Sequence, residues 1–182
     1  VVVPSTAEDA RGLLKAAIRD DDPVLFLEHK LLYRRAKGLL PEGDGLVPIG
    51  KAAVRRPGRH LTIVTWGAMV PLALEGTDAL AREGVEAEVV DLRTLLPMDE
   101  ETVLESVRKT SKALVLHEES RTLGVGAEVA ALLAEKAFEW LDAPVVRLAA
   151  PDTPIPFAPA LEAAYLPGPA TLLAAARKLA AY

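Results

Sequence analysis

From Leu61 onward the chain alternates between two hydrophobic patterns. Leu61–Trp66, Ala87–Leu92, Ala113–His117 and Val145–Ala149 are short apolar runs, as expected of strands covered on both faces. Between and after them, apolar residues recur at helical spacing over Val70–Arg82, Glu100–Lys109, Ala127–Trp140 and Ala170–Ala181, with Asp99 placed to cap the second of these. Strands alternating with helices predict an α/β domain with a mostly parallel sheet and helices on both faces, because each crossover must pass over a face. The proline-rich stretch Asp152–Pro169 is expected to run over the surface before the last helix.

The first sixty residues follow a different plan. Val1–Val3 reads as a strand and Ser5-Thr6-Ala7-Glu8 as a capping box. Ala10, Leu13, Leu14, Ala17 and Ile18 then place an amphipathic helix over residues 6–19. Asp20–Pro23 ends that helix, and Val24–Leu27 reads as a strand covered on both faces. A strand–helix–strand unit of this size builds no sheet of its own, so its remaining strands are expected upstream of Val1. Residues 38–60, rich in Gly, Pro and charge without periodicity, read as an interdomain linker.

Composition narrows the possible functions. With 182 residues, 51% apolar and 26% charged, the chain falls among ordinary globular proteins. No apolar run approaches the roughly 18 residues of a membrane span, and no charged leader precedes VVVPS, so no membrane partner and a cytoplasmic location are expected. A net charge of −5 argues against a nucleic-acid partner. The one basic cluster, Arg55, Arg56, Arg59 and His60, has no interleaved aromatics and reads as solvated linker. The absence of cysteine excludes disulfides, thiolate catalysis and Cys-ligated zinc. Asn and Gln are absent too, which fits selection for thermal resistance and a GC-rich genome equally well.

Few residues present themselves for chemistry. Gly124 and Gly126 lie between a strand and a helix, where backbone N–H groups can cradle a phosphate. The dinucleotide fingerprint lacks its third glycine, however, and Glu128 would oppose an anion, so close helix packing is the favoured reading. Gly67, with Thr65, Trp66 and Met69, follows a strand at the end where open α/β sheets bind ligands, although a subunit or domain interface suits that surface better. His117-Glu118-Glu119 also ends a strand. Strand alternation separates His117 from Glu118 and favours His117 with Glu119 as an acid/base pair. In DDDPVLFLEHK, Glu28 and His29 end the second strand and are assigned by position to a subunit or domain contact.

Five ordered motifs carry a resemblance over essentially the whole chain: VVVPSTAEDARGLLKAAIRDDDPVLFLEHKLLYR, LTIVTWGAMV, EVVDLRTLLPMDEETVLESVRKT, LHEESRTLGVGAEVAA and APDTPIPFAP. Together they resemble the β subunit of thiamine-diphosphate-dependent 2-oxo acid dehydrogenase E1 components, which is similar to the second half of transketolase. The resemblance implies that residues 1–37 are the last part of a pyrimidine-binding domain and that 61–182 form a transketolase C-terminal domain. That domain is expected to be a three-layer α/β/α fold on five mostly parallel strands, one of them antiparallel. The implied activity is oxidative decarboxylation of a 2-oxo acid, branched-chain first, with pyruvate or acetoin as alternatives. The implied cofactors are thiamine diphosphate and magnesium, and the implied partners an α subunit, a second β subunit and the lipoyl acyltransferase E2. The family's catalytic glutamate and histidine match positions upstream of Val1, so no catalytic or cofactor-binding residue is carried over. A potassium ion held in relatives by the turn after the first helix maps onto Ala17, Ile18, Asp20 and Asp22, with Asp22 standing where the family often has Asn.

Overall fold

In the computed structural model of the chain, which describes residues 1–182, the Thr6 hydroxyl accepts from the Asp9 N–H at 3.1 Å and opens helix α1, Ala7–Arg19. The cap therefore lies one residue later than the expected Ser5–Glu8 box. Ser5 instead donates its hydroxyl to the buried Asp91 carboxylate, a stronger acceptor than a helix end offers. The two strands expected around α1 shrink to single bridges, Val2 pairing with Phe26 on one side and with Thr94 on the other. Val24–Leu27 is covered on one face only: Leu25 and Leu27 are exposed, while Val24 and Phe26 pack on Val2, Leu13 and Val47. A single turn, α2 (Leu32–Arg35), follows.

The expected linker holds a strand. β1, Ala53–Arg56, pairs antiparallel with a strand downstream, so the sheet begins inside residues 38–60. Such an edge strand needs little apolar content, and its two arginines give no alternation to read. Parallel strands then alternate with helices: β2 (Leu61–Thr65), α3 (Met69–Arg82), β3 (Ala87–Asp91), α4 (Glu100–Thr110), β4 (Ala113–Ser120), α5 (Val125–Lys136) and β5 (Val146–Ala150). Asp99 caps α4 as expected, accepting from the Thr102 N–H at 3.3 Å. The helix expected to reach Trp140 stops at Lys136: Ala137 turns to φ −130°, is buried in the core, and a short 3-10 turn completes the stretch. The proline-rich stretch contains a short helix, α6 (Pro159–Tyr165), before the terminal α7 (Pro169–Ala180).

The strand order is β1-β3-β2-β4-β5, with β1 alone antiparallel. β2 and β3 are buried along their whole length because the sheet has two cores. One face packs Leu61, Ile63, Leu114 and Leu116 against α3 and α7; the other packs Val64, Val90 and Val115 against α4 and α5. The result is a three-layer α/β/α sandwich. No helix is long and apolar enough to cross a membrane.

The N-terminal segment is fastened to this sandwich by buried charge. The Asp91 carboxylate, at the end of β3 and without solvent exposure, accepts from Arg55 Nε at 3.0 Å and from Ser5. Arg55 also pairs with the buried Asp9 of α1, which Arg93 approaches at 3.4 Å. Removing one member of such a cluster leaves uncompensated buried charge. Arg55→Met is therefore expected to lower unfolding stability by about 3 kcal/mol, read as a shifted urea midpoint at neutral pH.

Candidate functional site

The carboxyl ends of β2 and β4 bring the candidate residues together. Their register pairs Thr65 with Leu116, so Trp66 and His117 follow side by side on one face. The two rings stack, with centroids 5.4 Å apart and planes 11° from parallel. Glu119, two residues on, returns to the same face. Its Oε2 lies 2.8 Å from His117 Nδ1, and its Oε1 accepts from the Trp66 indole N–H at 3.0 Å. Burial raises the Glu119 carboxyl, but these two hydrogen bonds outweigh it and hold Glu119 below the usual carboxylate range. An ionised carboxylate only accepts, so Nδ1 carries the proton of the shared hydrogen bond.

The geometry of this constellation favours packing over acid/base work. His117 is fully buried, and its Nε2 has no partner and faces the backbone of Gly126. A Cβ at Gly126 would lie 2.2 Å from Nε2, and one at Gly124 would lie 2.5 Å from the Ser120 carbonyl oxygen. Both glycines are thus accounted for by the close approach of α5 to β4, as the packing reading expects.

Glu118 points the other way, as strand alternation requires, and meets His29 Nε2 at 3.0 Å. That contact ties the end of DDDPVLFLEHK to β4 and agrees with the position assigned to His29. Glu28 does not reach across; it accepts from Tyr33 within its own segment. His29, Glu118, Glu119, Met69, Ile155 and Tyr165 line a groove of about 430 Å³ at these strand ends. Gly67, at φ 56°, makes the turn that leads into it, and a Cβ there would meet Val3 at 3.2 Å.

The basic cluster is structural. Arg55 and Arg56 pair with Asp91 and Asp78, Arg59 with Glu86 at 2.9 Å, and His60 Nδ1 accepts from the Glu86 N–H at 2.8 Å. Ala17, Ile18, Asp20 and Asp22 lie in the last turn of α1 and the exposed segment that follows it. The Asp22 N–H turns to the Asp20 carboxylate at 3.0 Å, and no backbone N–H reaches the carbonyls of Ala17 or Ile18. No cluster of three or more His, Cys, Asp or Glu side chains suited to a metal occurs anywhere in the chain. The reading from sequence missed the Ser5–Asp9–Arg55–Asp91 cluster; its one signal was an aspartate directly after Val89 and Val90 at the end of the strand.

Residues 50–172 match the family model described as transketolase, C-terminal domain. The chain belongs to the transketolase C-terminal domain family. This transketolase C-terminal domain chain is 46% identical, over 100% of its length, to the 2-oxoisovalerate dehydrogenase subunit beta of Bacillus subtilis, covering 56% of that protein. It is 48% identical, over 98% of its length, to the pyruvate dehydrogenase E1 component subunit beta of the same organism, covering 55% of it. Among solved structures, a split-gene transketolase described as an inactive beta4 tetramer matches 99% of the chain and 56% of its own, with a TM-score of 0.80 and 31% identity. The chain thus spans a little over half the length of these relatives.

Two outcomes follow for this transketolase C-terminal domain. Gly126→Ala forces the His117 ring off its stack, with an expected loss of about 2 kcal/mol and a changed near-ultraviolet tryptophan signal. Glu119, held low in the fold, adds stability that is complete above the ordinary glutamate range and disappears as pH falls through its folded-state value. Glu119→Gln is expected to flatten the fall in stability as pH drops below the ordinary glutamate range, measured by urea unfolding at each pH.

Proposed function

We propose that this chain is the C-terminal portion of the β subunit of a thiamine-diphosphate-dependent 2-oxo acid dehydrogenase E1 component. Residues 1–37 then end a pyrimidine-binding domain, and the sandwich that starts at β1 is the domain that follows it. The observation that carries the reading is collinear identity of 46% with the 2-oxoisovalerate dehydrogenase subunit over the entire chain. Branched-chain 2-oxo acids are the first substrate class, with pyruvate and acetoin as alternatives, and the product acyl group passes to the lipoyl group of an E2 partner. An α subunit and a second β subunit complete the proposed assembly.

Thiamine diphosphate supplies the electron sink for decarboxylation when bound. The residues of this chain do not fit it or magnesium: the carboxylates at the sheet's carboxyl end, Asp91, Glu118 and Glu119, are engaged by Arg55 and Ser5, by His29, and by His117 with Trp66. We therefore place both cofactors on residues outside the chain. The work of these residues is to hold the assembly, and Arg55, Asp91 and the His29–Glu118 pair fix the orientation of the pyrimidine-domain segment toward that end.

Potassium is a different case. Two carbonyls without backbone donors and the Asp20 and Asp22 carboxylates lie within six residues, the all-oxygen set a hard cation takes. We propose potassium binding by Ala17, Ile18, Asp20 and Asp22.

The decisive experiment uses the intact β polypeptide carrying this chain, purified with its α subunit and supplied with thiamine diphosphate and magnesium. Decarboxylation of 2-oxoisovalerate ahead of pyruvate is expected, with acyl transfer to lipoyl-E2; an assembly that turns over no 2-oxo acid and does not cleave acetoin sinks the reading. For the ion, potassium chloride is expected to raise the melting temperature by a few degrees over choline chloride at equal ionic strength, through about 2 kcal/mol of linkage when the ion is in large excess over its Kd. Asp20→Ala is expected to remove that difference.

A further inference from the structure

Residues 28–36 reach the sandwich through one apolar anchor and one polar contact. Leu32 is buried in the core that packs against α3 and α7, and His29 meets Glu118 of β4; no other hydrogen bond or ion pair joins this segment to the sandwich. Both ring nitrogens of His29 are in use. Nδ1 accepts from the Leu31 N–H at 3.3 Å, just ahead of the single turn α2, and Nε2 lies 3.0 and 3.1 Å from the two oxygens of Glu118. A neutral ring serves both partners only as the Nε2–H tautomer, with Nδ1 bare toward Leu31 and the proton toward the carboxylate.

His29 is also a wall between two cavities. One, of about 190 Å³, is lined by Pro4, Thr6, Ala10 and Tyr33; the other is the groove of about 430 Å³ at the strand ends. The ring is faced by Glu118 and Glu119 of β4, by Glu162 and Tyr165 of α6, and by Glu28 and Tyr33 of its own segment. Lys30, Arg34 and Arg35 are the nearest cations in sequence, and none of them lines the groove, whose one basic residue is His29.

We propose that His29 is a proton-operated latch: neutral, it holds its own turn and the sandwich at once; protonated, it releases the turn and clamps Glu118. Protonation makes Nδ1 a donor, so it faces the Leu31 N–H donor to donor and that bond is lost. The bond to Glu118 becomes charge-assisted, roughly twice as strong as a neutral one, whereas the bond given up is already longer than the usual range. The exchange therefore favours the clamp. With 29% and 30% of their side-chain surfaces exposed, the ring and the carboxylate are open enough to trade protons with solvent and covered enough for the added charge to count. The other two histidines lack this arrangement: His117 is sealed behind Gly126, and the His60 ring bonds only the Glu86 N–H.

The added hold is present at the acid end and disappears as pH rises through the range in which an imidazole gives up its proton, about pH 5 to about pH 8. Proton uptake at His29 also brings a positive charge to a groove lined otherwise by carboxylates and apolar groups, so the event that stiffens the wall changes what the groove attracts. The latch does not depend on the reaction proposed above.

The test follows the full 182-residue chain by nuclear magnetic resonance and involves no turnover. At about pH 8 the His29 ring nitrogens, assigned by their loss in His29→Gln, are expected to report the Nε2–H tautomer. Between about pH 8 and about pH 5.5 the hydrogen-exchange protection of the Leu31 amide is expected to fall at least about threefold, while that of Val115 in β4 holds; in His29→Gln neither changes. Coupling between the two side chains, from the double-mutant cycle of His29→Gln and Glu118→Gln in urea unfolding, is expected to be at least about threefold larger, as an equilibrium constant, at the acid pH. Glu118→Gln keeps the shape and an acceptor oxygen, so the cycle reads charge rather than loss of folding. An Nδ1–H tautomer, a Leu31 amide indifferent to pH, or a coupling no larger in acid overturns the proposal.

Discussion

A carboxylate without solvent exposure, Asp91, sits where three parts of the chain meet. It closes β3, receives the Arg55 guanidinium from the antiparallel edge strand β1, and takes the Ser5 hydroxyl from the segment ahead of α1. Its other oxygen accepts from the Arg93 N–H at 3.1 Å, fixing the turn that leaves β3, and Arg93 reaches back to the carbonyls of Lys51 and Ala52 at 2.9 Å. Burial pushes the Asp91 carboxyl up, against the opposing pull of Arg55 and Ser5. An apolar residue here would pack at less cost in desolvation. What the charge adds is direction: β1, the helix α1 and the exit from β3 share one set of hydrogen bonds with a single geometry.

A second buried polar seam lies at the opposite end of the same strand. Glu88 accepts from the Ser106 hydroxyl at 2.6 Å and the Gly58 N–H at 3.1 Å, while Thr62 bonds Ser106 and Thr110 at 2.7 Å each. These contacts register α4 against β2 and β3 where leucine packing alone would permit sliding. Both ends of β3 are therefore pinned by carboxylates, and the apolar middle of the sheet needs only to fill space.

The difference in what could be read from the sequence follows from this division. Elements that bury a continuous apolar face, β2 to β5 and α3, α4 and α7, announced themselves through periodicity, because burial demands it at every turn or second residue. β1 did not, since its Arg55 is fastened by charge to Asp9 and Asp91, neither of which is its neighbour in sequence. The Val24–Leu27 run misled in the opposite direction: its composition fits a strand covered on both faces, yet half of it is exposed. At the candidate site, strand alternation correctly separated His117 and Glu119 from Glu118. It held no information on Trp66, 51 positions before His117 in sequence and brought to it by parallel pairing, or on Gly126, which seals the imidazole from solvent.

That sealing bears on how the carboxyl end of the sheet works. Trp66, His117 and Glu119 form a closed set in which each polar atom but Nε2 is engaged, so the strand ends are stiff before anything binds there. The Thr122–Asp152 clasp carries the stiffness outward to the turn after β4 and the proline-rich stretch. A surface ordered in advance loses little conformational entropy on association, and apolar groups displayed on it contribute more of their burial to binding. The burial of His117 also weighs against its acid/base reading. An imidazole that packs between strand ends is buried and held in one tautomer, whereas one that shuttles protons has to meet its substrate. Here the first condition is the one met.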